Sequence, residues 1–175
     1  MLTVFIVSSN ASAIDWPEDK ATLLDEINHH PTQVISTIET RLKNASLSVH
    51  EQAQFHYILS DAYYALFLGE EALAAAKEAL RLARKTEDSE LVQACNIKVA
   101  RAYDTMTDPS PGIDYAQQAL FWATENEFPS IQIDALIALG SINLTTVNLA
   151  EALDYFTQAY GIAQQQQKSG MDAVA

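Results

Sequence analysis

Small side chains return at a fixed interval of 40 residues: Ser60, Ala100 and Gly140 each fall where two helices can approach closely. The same step links Leu59, Val99 and Leu139, then Leu73, Ile113 and Leu153, then Ala79, Ala119 and Ala159. Tyr63 and Tyr103 are also in register, and the third copy carries Asn143 there. Similarity at a fixed period of this length marks a stacked helical array, in which no single unit buries its apolar face alone. The fold class expected is therefore all-α. Arrays of this kind present extended surfaces that hold partners, so the repeat turns the functional question toward binding.

Composition narrows the possibilities further. Of 175 residues, 49% are apolar, enough for a continuous core, and the 5 Gly and 5 Pro are too few to punctuate anything but long helices. Ten Lys and Arg against 23 Asp and Glu give a formal charge of −13. Phosphate backbones and anionic membrane surfaces repel such a chain, which argues against nucleic acid and suits a basic or neutral protein or peptide. Cys95 is the single cysteine, so no internal disulfide or cysteine metal cluster can form. Its neighbours Val92, Ala94, Ile97 and Val99 predict a buried, inert thiol.

Chemistry has little to stand on. His29 and His30 are adjacent and point to different faces of a regular helix, and His50 and His56 are six apart, so neither pair shares a metal. No nucleophile elbow, phosphate loop or metal motif occurs. The expectation is a binding segment with no catalytic residues, no metal and no cofactor.

Apolar spacing and helix punctuation predict about eight helices. Asp15 caps a short one from Pro17 to His30, and Pro31 forces a break. The next begins at Thr32 and carries Val34, Ile35, Ile38 and Leu42. Ser48-Val49-His50-Glu51 has the form of a capping box, which opens a helix to about Phe67. Its partner runs from Gly69 to about Lys85. A second pair covers Ser89 to Met106 and Pro111 to Asn126, with Ser110 as cap and Pro111 at the first helical position. A third covers Pro129 to about Val147 and Leu149 to Gln167, again with a capping-box form at Asn148 to Glu151. Ser169-Gly170-Met171-Asp172 reads as one more helix start, with Met171 continuing the series Leu91, Ile131. A solenoid ordinarily ends on a polar cap. The expectation is therefore an excised N-terminal piece of a longer protein, divided into residues 1–13, a degenerate leading pair at 14–47, repeats at 48–87, 88–127 and 128–168, and a truncated further helix at 169–175.

Residues 1–13 have a character of their own. Leu2 to Val7 is an apolar run too short to span a bilayer, and Ala11-Ser12-Ala13 has the small-x-small form of a signal-peptidase site. No Lys or Arg precedes the run, so the positive segment of a complete signal is missing; a buried N-terminal strand or helix is the alternative. Export would place the chain in a periplasm or outside the cell, against a cytoplasmic alternative.

The repeated residues resemble the tetratricopeptide repeat. The first copy reads Leu59-Ser60-Asp61-Ala62-Tyr63-Tyr64, then Glu71-Ala72-Leu73 and Ala79-Leu80. The second reads Val99-Ala100-Arg101-Ala102-Tyr103, then Gly112-Ile113-Asp114-Tyr115 and Ala119-Leu120. The third reads Leu139-Gly140-Ser141-Ile142-Asn143, then Glu151-Ala152-Leu153-Asp154-Tyr155-Phe156 and Ala159-Tyr160. The period departs from the common value of about 34, which lengthens each helix by roughly a turn, and Gly112 stands where alanine is usual. The long-period variant is similar to repeats in bacterial signalling proteins, including the exported sensor regions of membrane-anchored diguanylate cyclases and histidine kinases.

That resemblance implies a right-handed α-solenoid of antiparallel hairpins, with the first helix of each pair lining a concave face. The partner-binding residues it implies are Tyr57, Asp61 and Tyr64 from the first copy, and Ile97, Lys98, Arg101 and Asp104 from the second. The third contributes Asp134, Ile137, Ser141 and Leu144. Aromatic and apolar contacts beside a few charges suit a peptide or a helix of another protein. Lys98 and Arg101 can either receive a carboxylate or, in the case of Arg101, pair internally with Asp61 or Asp104. The functional expectation is a sensory, protein- or peptide-binding module, with a standalone scaffold as the alternative. A membrane is involved only through a downstream segment, and the uncovered end of the array can pair two copies.

Overall fold

The computed structural model describes residues 20–43 and 46–172, all-helical apart from turns. The expected signal segment, the Asp15 cap and the Pro17 start lie outside the described residues. Eight helices follow one another: α1 (Lys20–His29), α2 (Pro31–Leu42), α3 (Val49–Ala65), α4 (Gly69–Ala83), α5 (Ser89–Asp104), α6 (Pro111–Glu125), α7 (Pro129–Thr145) and α8 (Leu149–Asp172).

Sequence punctuation sets most of these limits. The Ser48 hydroxyl accepts from the Glu51 amide at 3.1 Å while the Glu51 carboxylate accepts from the Ser48 amide at 2.7 Å, so the capping box opens α3 as expected. Asp88 caps α5, accepting from the Leu91 amide at 2.8 Å. Its other oxygen lies 3.0 Å from His50 Nε2, which ties the start of α3 to that of α5. Three helices end with a non-glycine residue in the left-handed region: Phe67, Glu127 and Val147 at φ of 58°, 57° and 64°. In each case the next amide closes the end, Leu68 to Tyr63 O, Phe128 to Ala123 O and Asn148 to Asn143 O at 3.0, 2.9 and 2.7 Å.

Two expected details are corrected. Ser110 occupies the residue before α6, but its backbone is helical and its hydroxyl makes no capping bond; Asp108 instead accepts from the Ser110 amide at 3.1 Å. Ser169 to Asp172 does not open a new helix, because α8 runs unbroken from Leu149 to Asp172. Gln164 to Lys168 are good helix formers, and Gly170 alone costs only about 1 kcal/mol, too little to break the run.

Packing follows chain order. Each helix touches its neighbours in sequence, and α1, α3, α5 and α7 also touch each other in succession. The second helices do not: among the described residues the backbones of α2, α4, α6 and α8 do not approach one another closely. First helices side by side and second helices splayed apart give a curved stack, a solenoid-like arrangement whose inner wall is α1, α3, α5 and α7.

The repeat positions explain why it closes. Ser60, Ala100 and Gly140 are all buried, as are Ala79, Ala119 and Ala159. A Cβ on Gly140 would lie 2.6 Å from the Phe156 ring, and one on Gly112 would lie 2.9 Å from the Ala100 carbonyl oxygen. Larger residues there would force the hairpins open. Three apolar clusters form one continuous core along the stack, the first two joined by Tyr57 of α3 and the last two by Tyr115 of α6. Cys95 is fully buried within it, and burial pushes its thiol up to about 12.

Candidate functional site

Helical spacing brings one stripe of each inner helix to the concave wall. Ala94, Ile97, Lys98 and Arg101 recur at three- and four-residue steps on α5, and Ile131, Asp134, Ala138 and Ser141 do so on α7. With Tyr57 and Tyr64 of α3, Asp104 and Ile137, they line a groove of about 330 Å³. Nine of the eleven residues expected at the site line it. Asp61 sits behind the cations, and Leu144 does not line the groove but stands 53% exposed nearer the end of α7.

The floor is ionic. Lys98 Nζ lies 2.7 Å from Asp61 Oδ2 and 2.8 Å from Oδ1, and Arg101 Nη1 lies 3.4 Å from Asp61 Oδ1. Each cation also rests on an aromatic face, with Lys98 4.3 Å from the Tyr57 ring centroid and Arg101 4.7 Å from that of Tyr64. Of the two arrangements open to Arg101, the molecule adopts the internal pair with Asp61. Asp104 instead accepts from the Thr145 hydroxyl at 2.7 Å.

Burial and charge work against each other here. Desolvation acts to lower the Lys98 ammonium, but Asp61 and then Tyr57 more than offset it, so the group is held above its ordinary range. Burial around the Tyr57 hydroxyl pushes it up, with Lys98 opposing. Asp134 is exposed, but the groove walls beside its carboxyl partly desolvate it and raise it, against the opposing pull of Lys98 and then Arg101.

Ala94, Ile131 and Ala138 were missing from the expected site, although each continues a stripe already identified by one turn. Leu24, Ile27 and Asn28 of α1 were also missing. They form a second depression with Asp61, Tyr64, Ala65 and Arg101, so the concavity extends from α7 to the leading pair. That pair's degenerate sequence carries no repeat signal to reveal it.

Among the described residues no three His, Cys, Asp or Glu side chains converge as metal ligands, and no helix is long and apolar enough to cross a membrane. No family model, curated protein or solved structure matches the chain. The fold defines an all-α, repeat-built, solenoid-like protein, and the groove on its inner wall combines concavity, aromatic faces and partly desolvated charge.

Proposed function

We propose that this chain is a binding module of the tetratricopeptide type that holds a segment of another protein or peptide along its inner wall. The observation that carries the reading is the convergence of α3, α5 and α7 on one groove with aromatic, aliphatic and ionic walls. Such a lining provides a few anchoring pockets with polar groups to fix register, as interfaces built on hot spots require. The α1 depression adds length, so a ligand crossing from α1 to α7 spans three interhelical gaps of about 8–10 Å each, suiting roughly seven to nine extended residues.

Within this reading the module is the exported sensory region of a bacterial signalling protein, its partner outside the cytoplasm and its output encoded after Ala175. A transmembrane helix and a catalytic domain in the downstream gene sequence would support that assignment. Further repeats ending in a polar cap would favour a scaffold.

The groove itself is tested with peptides selected against the wild-type protein from a random displayed library. Tyr64→Ala combined with Arg101→Ala should weaken selected peptides at least tenfold with helicity retained, whereas Phe121→Ala, on an exposed outer position, should leave them unchanged. Equal binding by all three proteins would refute the assignment. Tyr57 is spared because it is also part of the core.

A further inference from the structure

The ionic groups of the groove differ in what they lack. Lys98 has both Asp61 oxygens within 2.8 Å and an aromatic face at 4.3 Å. Arg101 has Asp61 at 3.4 Å and its own ring at 4.7 Å. The Asp104 carboxylate is engaged by Thr145 at 2.7 Å. Asp134 alone has no hydrogen bond or ion pair among the described residues, and it lines the same groove. Its carboxylate is exposed on the groove face, within the pull of Lys98 and Arg101 but bonded to neither, so it is open to a cation from outside.

What the groove lacks is therefore a cation. Counting Lys98 and Arg101 against Asp61, Asp104 and Asp134, the site is left with one negative charge in excess, inside a chain of formal charge −13. Ile131 and Ile137, one turn to either side of Asp134, offer apolar walls against which an aliphatic stem can lie while its charged head meets the carboxylate.

We propose that Asp134 receives the ammonium or guanidinium of a lysine or arginine side chain from a basic peptide laid in this groove. The inference rests on the binding reading above and deepens it by fixing the partner's charge. An acidic segment is disfavoured, because Lys98 and Arg101 are already engaged by Asp61.

The test uses three blocked probes, acetyl-Leu-Lys-Leu-amide and its Gln and Glu counterparts, titrated into the labelled chain and followed by amide chemical shifts. The lysine peptide should bind at least tenfold more tightly than the glutamine peptide, with shifts at Asp134, Ile137 and Ile97. Asp134→Asn should erase that preference and Asp134→Glu should keep it, with the dispersed spectrum of each variant reporting its fold. Glutamine or glutamate peptides binding the same amides as tightly as lysine would overturn the inference while leaving the groove reading standing. 1,5-Diaminopentane binding as tightly as the lysine peptide would overturn a peptide source. No shift at any groove amide with any probe would overturn the inference and the groove reading together.

Discussion

Asp61 serves two cations with one carboxylate, and its loss would strand both. Its side chain is 14% exposed and that of Lys98 9%, so water cannot readily replace the partner. Removing one member of such a buried pair leaves an uncompensated charge, and Asp61→Ala should cost about 3 kcal/mol. Lys98→Met should cost clearly less, because Asp61 keeps Arg101 and the groove keeps an apolar stem. Urea midpoints of the two variants check the order. Cys95 gives a second residue-scale expectation. Its thiol titrates at about 12 in the fold against 9.0 unfolded, so the folded chain holds a proton that the unfolded chain has lost. Stability should therefore be whole below pH 9 and fall between about pH 9 and pH 12. Lys98 and Tyr57, also raised, act in the same direction at higher pH. Cys95→Ala should remove the earliest part of this decline; a urea midpoint that falls unchanged from pH 9 in the variant would contradict it.

Within the elements, glycine has opposite meanings at two helical positions. Open space surrounds a Cβ built on Gly161, so Gly161→Ala should stabilise by about 1 kcal/mol through helix propensity alone. On Gly112 the same Cβ meets the Ala100 oxygen, the Ile142 Cδ1 and the Tyr103 Cβ, each at 2.9 Å. Overpacking of about 1–3 kcal/mol should cancel the propensity gain, so Gly112→Ala should destabilise, and thermal melts of both variants decide the sign. The sequence hinted at this, since Gly112 breaks an alanine pattern, but only the Ile142 contact, from α7, shows the site is closed by the following hairpin. Element existence was legible because apolar spacing and the Ser48 box are local. The continuation of α8 past Ser169 was not: a serine-glycine pair looks like punctuation, yet nothing in the chain there forces the backbone out of helix. The ionic floor was half legible, because the spacing of Lys98 and Arg101 is a local property while their choice of Asp61 depends on α3 lying beside α5.

For the whole molecule, equivalent positions have unequal surroundings. Leu80 and Tyr160 are two repeat steps apart; Leu80 is 4% exposed under the next hairpin, and Tyr160 is 64% exposed on α8. Leu80→Ala should cost about 2–4 kcal/mol, whereas Tyr160→Ala should stay within about 0.5 kcal/mol. Leu153 is likewise 68% exposed, although its counterparts Leu73 and Ile113 are partly covered. Denaturant titrations would show equal costs only if a further layer covered α8. Because contacts run only between successive hairpins, the array resembles a short chain of coupled units, and the leading pair has a neighbour on one side only among the described residues. Amide exchange should accordingly begin in α1. That helix also walls one end of the concavity, at Leu24, Ile27 and Asn28. A guest long enough to reach those side chains would clamp the loosest unit to the rest, and so convert occupancy into a change in terminal fraying.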